Sequence, residues 1–387
     1  MSPRPRLIRR RPHTADASRY QVRDGSPLLE VIGLETHFRT ERGTVRAVDG
    51  VSLTLQRGQT LGIVGESGSG KTILSRSIMG LLPRSNVVRR GQVLYAGQEL
   101  VGLREADLRH IWGVEMSMVF QDPMTSLNPV MRVGRQITES LVYHLGIEDD
   151  EARDRALALL RSVGIPEPER RLREYPHQLS GGMRQRVTIA IALACGPKLL
   201  LADEPTTALD VTVQAQILDL LHAQQQERFM AMILVTHDLG VVAGRTDDIA
   251  VMYAGKIVEK APTRVLFRDM KMPYTEALLD SIPRIEDPTH TRLSAIPGRP
   301  PDLVNPPPGC RFAPRCRYAQ ERCWTEEPTL TEAATPGHVF ACWYPVGTPA
   351  GFEALARNQA QGHPAPPPAD IAAAVPAVVA AGAEAAG

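Results

Sequence analysis

A strand, a glycine-rich loop and a helix follow one another near the start of the chain, and this succession constrains the fold most. The apolar residues 61–64 predict a buried strand, and residues 73–79 have helical spacing. Between them, residues 65–72 read Gly-Glu-Ser-Gly-Ser-Gly-Lys-Thr, which fits the pattern G-x-x-x-x-G-K-[ST]. Glycines let consecutive backbone N–H groups surround a phosphate chain, and the N-terminus of the helix adds its positive dipole end. This context predicts a nucleoside triphosphate site rather than an ordinary turn.

Two side chains of this loop have separate predicted roles. Lys71 would reach the β- and γ-phosphates, and the Thr72 hydroxyl would ligate Mg²⁺. The predicted nucleotide-binding residues of the loop are Gly65, Ser67, Gly68, Ser69, Gly70, Lys71 and Thr72.

Strand and helix patterns on both sides of the loop predict an α/β fold. Alternating residues between 28 and 55 predict a short antiparallel sheet with a charged turn at 40–43. Residues 103–176 have mainly helical spacing and predict a helical insertion. The continuous apolar run 199–202 and the later strands near 230–253 predict a largely parallel sheet covered on both faces.

Composition argues against one class of function and marks the two ends of the chain as different from its middle. A net charge of +1 over 387 residues argues against nucleic acid as the main partner. Residues 1–27 are rich in arginine without an apolar core, which predicts a disordered basic tail, or alternatively a transit peptide. Residues 349–387 are dominated by alanine and proline and are predicted to be disordered. A main domain at 28–265 and a C-terminal extension at 266–348 lie between them.

An acidic pair follows the apolar run 199–202. The carboxylate of Asp203 can hold Mg²⁺ opposite Thr72, and that of Glu204 can orient or deprotonate an attacking water. Open α/β sheets place ligand chemistry at this end of their strands. Acidic residues also occur there without function, but the phosphate loop favours a site.

Residues 179–185, Leu-Ser-Gly-Gly-Met-Arg-Gln, predict a second phosphate site. Ser-Gly-Gly before a helix gathers backbone N–H groups at a helix N-terminus. The chain thus has one phosphate loop but two phosphate-binding surfaces. This predicts a head-to-tail pair of chains, in which each nucleotide lies between the phosphate loop of one chain and the Ser-Gly-Gly segment of the other. Taken alone, the Ser-Gly-Gly sequence is weak evidence for a phosphate site, because any flexible turn can contain it.

Together with Gln121, Asp210 and His237, these segments resemble the motif set of the ABC-type ATPases, in the same order, from residue 28 to about residue 260. The resemblance implies a P-loop NTPase fold: a RecA-like parallel core, an N-terminal antiparallel β subdomain and a helical subdomain. It also implies ATP and Mg²⁺ as ligands.

The resemblance assigns a role to each motif residue. Glu204 is implied as general base, His237 as a γ-phosphate contact and Gln121 as a contact of Mg²⁺ or the water. The implied catalytic residues are Glu204, His237, Gln121 and Lys71, and the implied Mg²⁺ residues are Thr72, Gln121 and Asp203. Further implied nucleotide-binding residues are Phe38, Ser180, Gly181, Gly182, Gln185 and Asp210. Phe38 would stack on adenine; the alternative is an ordinary half-buried strand residue.

Residues 121–129, 206–212, 296–303 and 308–310 carry a narrower resemblance, to the oligopeptide/dipeptide (and nickel) importers. It implies an ATPase subunit that is peripheral on the cytoplasmic face of the inner membrane. The implied partners are a second related ATPase subunit, two membrane permease subunits and an extracytoplasmic solute-binding protein. Import of nickel chelates or glutathione-like peptides is an alternative, as is a soluble ABC-type ATPase acting on nucleic acid or ribosomes.

Cysteines cluster in the extension, at Cys310, Cys316, Cys323 and Cys342. Without a secretion signal they should be thiols or metal ligands. Their spacing lacks the C-x₂₋₄-C pairs usual for zinc, whereas four thiolates can hold an iron–sulfur cluster. The resemblance implies a [4Fe–4S] cluster; zinc and free thiols are the alternatives. Arginines lie among them and would either offset the cluster's charge or form a solvated basic face: Arg311, Arg315, Arg317 and Arg322.

Overall fold

The computed structural model describes residues 25–83, 85–207, 209–282 and 296–362. The chain forms two compact units. The discontinuous unit combines residues 24–101 with those from 232 onward, and the inserted unit contains residues 102–231. Within the described ranges, no helix has both the length and the apolar character that crossing a membrane requires.

The discontinuous unit contains the predicted antiparallel sheet. Its strands are β1 (Leu29–Thr40), β2 (Gly43–Leu55), β4 (Val87–Tyr95) and β5 (Gln98–Glu99), in the order β2-β1-β4-β5. β1 pairs antiparallel with both β2 and β4, and its residues Leu29, Val31 and Leu34 are buried. The charged turn falls between β1 and β2, as predicted, because alternation stops where Glu41 and Arg42 are exposed.

A second, mixed sheet follows the order β11-β12-β10-β9-β3-β8 in this unit. Its strands are β3 (Thr60–Val64), β8 (Ala231–Thr236), β9 (Asp248–Tyr253), β10 (Lys256–Pro262), β11 (Thr331–Glu332) and β12 (Val339–Phe340). β3 is parallel to β8 and β9, whereas β9, β10, β12 and β11 pair antiparallel. The predicted parallel arrangement is therefore present at β9, β3 and β8, and the remaining strands of this unit's sheet are antiparallel because a tight turn returns the chain from β9 to β10.

The helices of the discontinuous unit include one that starts at the phosphate loop. They are α1 (Lys71–Met79), α9 (Leu239–Val242), α10 (Thr263–Asp269), α11 (Pro273–Asp280), α12 (Glu321–Thr325) and α13 (Pro349–Gln361). α1 buries Leu74 and Ile78 on one face, which gives it the helical spacing seen in the sequence. The cysteine-bearing segment is mostly irregular, with α12 and a 3₁₀ turn at Ala313–Arg315.

Among its described residues, the inserted unit combines a pair of strands with seven α-helices and a 3₁₀ turn at Pro176–Gln178. The strands β6 (Met116–Val119) and β7 (Leu199–Asp203) are parallel. The helices are α2 (Glu105–Leu108), α3 (Pro123–Ser126), α4 (Val133–Leu145), α5 (Asp149–Ser162), α6 (Pro168–Arg171), α7 (Gly181–Leu193) and α8 (Val211–Arg228). Within the range 103–176, where a helical insertion was predicted, the structure also contains one strand, β6. All four residues of β6 are buried, and a segment of four residues is too short for periodicity to distinguish strand from helix.

The prediction of disorder from residue 349 is wrong for α13. Thr348 caps this helix by accepting a hydrogen bond from the Gly351 N–H (3.1 Å), and Pro349 occupies its first turn. Asn358 is buried and donates to the carbonyls of Arg317 and Ala319 (2.8 and 3.0 Å). These caps and contacts stabilise a helix that the alanine- and proline-rich composition of the segment did not predict. Residues 363–387 and the basic tail up to residue 24 lie outside the described ranges.

Candidate functional site

The phosphate loop lies between β3 and α1 and is packed tightly against its own unit. Gly70 has a φ of 105°, and a Cβ built there would lie 2.2 Å from the Ala47 carbonyl oxygen. A Cβ on Gly65 would lie 2.1 Å from the Met252 carbonyl oxygen. Neither position therefore tolerates a side chain, and the glycine spacing of the motif has a direct steric reason.

Polar groups of the loop are held in place for an anion. Lys71 is 4% exposed, and its Nζ donates to the carbonyl oxygens of Gly65 (2.7 Å) and Glu66 (3.0 Å). The buried Ser69 hydroxyl has no hydrogen-bond partner among the described residues. An ammonium group, an unused hydroxyl and the N-terminus of α1 fit a phosphate chain.

The acidic pair follows β7 in the inserted unit. Asp203 is buried at the end of the strand, and Glu204 has a φ of 46°, a left-handed conformation that non-glycine residues rarely adopt. Glu204 Oε2 accepts hydrogen bonds from Gln121 Nε2 (3.1 Å) and Thr207 Oγ1 (3.0 Å). The structure thus brings Gln121 and Glu204 together. Sequence reasoning missed Thr207, whose spacing of three residues from Glu204 across a turn was the available signal.

The Ser-Gly-Gly segment forms a helix N-terminus, as predicted. Ser180 precedes α7 and its Oγ accepts from the Met183 N–H (3.3 Å). A Cβ on Gly182 would lie 2.8 Å from the Val213 side chain, and Gln185 is buried. Asp210 likewise caps α8, where its Oδ1 accepts from the Val213 N–H (3.0 Å). The nucleotide contacts of these residues stay predictions.

The other predicted site residues are distributed between the units. Phe38 lies near the end of β1, half-buried, opposite Val45 of β2 and Val87 of β4. His237 is exposed and follows β8 directly. Both lie in the discontinuous unit with the phosphate loop, whereas Gln121, Asp203, Glu204 and the Ser-Gly-Gly segment lie in the inserted unit. Their roles stay predictions.

The four clustered cysteines line one cavity of the discontinuous unit, together with Tyr318, Trp343 and Tyr344. Burial raises the pKa of the Cys310 thiol to about 12, and it raises the pKa values of Cys316 and Cys342 well above their usual range. Within the described ranges, however, no group of three or more His, Cys, Asp or Glu side chains is arranged to hold a metal ion. The thiols therefore converge, but the structure does not demonstrate a metal site.

Two of the nearby arginines are buried and form ion pairs with carboxylates. Counted over the whole residue, the exposed fraction is 7% for Arg311 and 8% for Arg315. Arg311 forms an ion pair with Asp49, and Arg315 forms one with Glu66. The predicted solvated basic face is therefore wrong for these two side chains. Because carboxylates already balance their charges, the prediction that they offset a cluster's charge is also not supported.

Two family profiles match the chain. One, described as ABC transporter, matches residues 48–207, and the other, described as oligopeptide/dipeptide transporter, C-terminal region, matches residues 258–323. The chain is 51% identical to the oligopeptide transport ATP-binding protein OppD of Bacillus subtilis (strain 168), over 81% of this chain and 87% of that protein. It is 49% identical to the dipeptide transport ATP-binding protein DppD of Lactococcus lactis subsp. cremoris (strain MG1363), over 82% of this chain and 90% of that protein.

Solved structures share the fold. The dimeric bacterial ABC transporter cassette MJ0796 is 29% identical, with a TM-score of 0.55, and the match covers 61% of this chain and 99% of that one. The protein cbiO1 of Clostridium perfringens, part of the ABC transporter complex cbiONQ, is 29% identical with a TM-score of 0.53, over 63% and 91% of the two chains. The predicted P-loop NTPase fold, with its antiparallel N-terminal sheet, is thereby confirmed.

Proposed function

Because the chain belongs to the ABC transporter ATP-binding proteins that carry the oligopeptide/dipeptide transporter C-terminal region, we propose that it hydrolyses ATP to power the import of dipeptides or oligopeptides. The observation that carries this proposal is the presence of both matched regions in one chain with an intact phosphate loop. Relatives that share about half of its residues are named for oligopeptide and dipeptide transport.

In this proposal the chain's own residues divide the work of hydrolysis. The loop N–H groups and Lys71 bind the phosphates, and Thr72, Asp203 and Gln121 are the proposed Mg²⁺ residues. Bound Mg²⁺ would neutralise developing phosphate charge. Glu204 accepts the proton of the attacking water. Its hydrogen bonds with Gln121 and Thr207 hold the carboxylate in a defined orientation before water is bound.

The chain is proposed to work at the cytoplasmic face of the inner membrane with several partners. These are a second, related ATPase subunit with ATP at the interface, two membrane permease subunits and, indirectly, an extracytoplasmic solute-binding protein. The dimeric cassette among the similar structures supports the ATPase pair. Exposed apolar side chains at Phe120 (37%) and Val130 (84%) support docking of a membrane subunit on this part of the inserted unit.

Uptake by cells that lack this chain tests the proposed substrate. We expect these cells to lose ATP-dependent uptake of labelled dipeptides or oligopeptides, and a plasmid copy of the wild-type chain to restore it. Nickel uptake measured in the same cells separates the alternatives. Loss of nickel uptake with normal peptide uptake would contradict peptide import and favour the nickel-chelate function.

For the cysteine cavity we propose a [4Fe–4S] cluster held by Cys310, Cys316, Cys323 and Cys342, with zinc as the alternative. Its support is the convergence of four thiols on one cavity, in a chain whose spacing lacks zinc-type pairs. The cluster would crosslink the irregular segments around it. Its proposed role is structural.

Replacing Cys316 by serine is expected to remove iron and acid-labile sulfide from protein purified without oxygen, because the cluster loses one of its thiolate ligands. The phosphate site should not be lost, because no residue of the phosphate loop is changed. Metal and sulfide analysis with a visible spectrum measures the loss. Cys195→Ser is the matched control, since Cys195 lies in the inserted unit beside the Ser140 carbonyl (3.5 Å) and should not affect iron. Unchanged iron in Cys316→Ser would refute the ligand assignment.

A further inference from the structure

One arginine of the cysteine-bearing segment reaches the phosphate loop. Arg315 precedes Cys316, and its side chain is 2% exposed. Its Nη1 and Nη2 donate to the two carboxylate oxygens of Glu66, at 2.6 and 2.9 Å. Glu66 is the second residue of the phosphate loop. A residue far along the chain therefore holds this loop through a bidentate, charge-assisted contact.

The remaining donors of Arg315 are also satisfied. Nε donates to the Pro297 carbonyl (2.8 Å), Nη2 to the Ile296 carbonyl (3.3 Å) and Nη1 to the Tyr253 hydroxyl (3.3 Å). Burial lowers the pKa of Arg315, but hydrogen bonds with Glu66 and Tyr253 outweigh it, and the net pKa is raised. The guanidinium thus stays charged and uses all of its N–H groups, which lysine cannot reproduce.

Glu66 is fixed at its backbone as well as at its carboxylate. Its N–H donates to the Tyr274 hydroxyl (2.8 Å), and its carbonyl accepts from Lys71 Nζ (3.0 Å). Tyr274 packs against Tyr253 and Phe312, with ring centroids 4.5 and 5.3 Å apart. The contacts run without interruption from the segment beside Cys316 to the lysine of the phosphate loop.

A second arginine of the cysteine-bearing segment is connected to the same loop through a turn. Arg311, next to Cys310, pairs with Asp49 and donates to the Ala254 carbonyl (2.6 Å). The next residue, Gly255, donates its N–H to the Ser69 carbonyl of the loop (2.8 Å). Two arginines adjacent to two of the four cysteines thus support the phosphate loop, one directly and one through a turn.

We propose that Arg315 is a positioning residue that holds the phosphate loop in its binding conformation and couples it to the four-cysteine segment. This inference rests on the proposed ATP binding and assigns a role in it to the C-terminal extension. When Arg315 is absent, Glu66 loses its partner and the loop samples more conformations. ATP then binds more weakly, because only a fraction of the molecules has the loop in its binding conformation.

The test measures the Kd for Mg–ATP and the kcat and KM for hydrolysis with full-length variants. Arg315→Ala is expected to raise the Kd and KM about tenfold, the scale of a hydrogen bond to a charged group, with a smaller change in kcat. Arg315→Lys should restore only part of the affinity. Glu66→Gln should also weaken binding, and the double variant should be no weaker than Arg315→Ala, because both changes remove one contact.

Arg317→Ala is the matched control, because Arg317 lies in the same segment but pairs with Glu276 and Asp280. It should bind ATP like the wild type. A folded Arg315→Ala chain with wild-type Kd would overturn the proposal. If that variant does not fold, Glu66→Gln decides, since it keeps the arginine and the side-chain volume; an unchanged Kd there also overturns it. A wild-type chain that does not bind ATP would overturn the proposed function instead.

Discussion

Replacing Glu204 by glutamine is expected to leave ATP binding intact while cutting hydrolysis by roughly 10²–10⁴, the scale of a lost general base. The amide keeps the size of the side chain and an oxygen that can accept from Gln121 and Thr207, but it cannot take a proton from water. Phosphate release by the assembled complex, measured beside the Kd for Mg–ATP, separates binding from chemistry.

The control for this variant is Glu151→Gln, on the surface of α5. Glu151 is about half exposed and pairs with Arg155 four residues away, so the change should leave both hydrolysis and binding unaltered. Near-normal turnover by Glu204→Gln would show that another group accepts the proton, and the general-base assignment would be wrong.

Lys71→Ala is expected to weaken Mg–ATP binding by about 10- to 100-fold, because a buried ammonium that contacts phosphate contributes a charge-assisted hydrogen bond. The variant also loses the hydrogen bonds from Nζ to the carbonyls of Gly65 and Glu66. The loop backbone should nevertheless persist, since the tight packing of its glycines against Ala47 and Met252 does not involve the lysine side chain. Equilibrium binding of a fluorescent ATP analogue measures the loss.

Lys260→Ala provides the comparison within the same unit. Its ammonium group lies 4.0 Å from Asp248 and away from the loop, so nucleotide affinity should not change. Equal affinities for the Lys71 variant and the wild type would exclude the predicted phosphate contact.

Local sequence signals predicted the parts of the fold that local chemistry determines. The strand, loop and helix around residues 65–72 follow from apolar periodicity and glycine placement. A side chain at Gly65 or Gly70 would clash with backbone oxygens, which explains why the motif has glycine at these two positions. The capping roles of Ser180 and Asp210 are equally local. β6 and α13 were missed because burial and tertiary hydrogen bonds, rather than propensity, decide short apolar and alanine-rich segments.

The candidate site could be predicted less completely. The pair between Arg315 and Glu66 spans 249 positions in sequence, and no local pattern links them. Sequence reasoning associated the arginines with the cysteines because they are neighbours in the chain. The folded chain instead turns two of them toward carboxylates of the ATPase domain. Pairing over such distances depends on how segments pack.

The most direct test of the central claim is uptake of a labelled peptide into vesicles that contain this chain, its partner ATPase and the two permease subunits, with ATP on the side of the ATPase subunits. The solute-binding protein is supplied with the peptide on the opposite side of the membrane. The account predicts peptide accumulation that requires ATP hydrolysis, and it predicts that Glu204→Gln stops this accumulation although ATP binding is preserved. Peptide accumulation at the wild-type rate with Glu204→Gln, or hydrolysis by the wild type that moves no peptide, would contradict it.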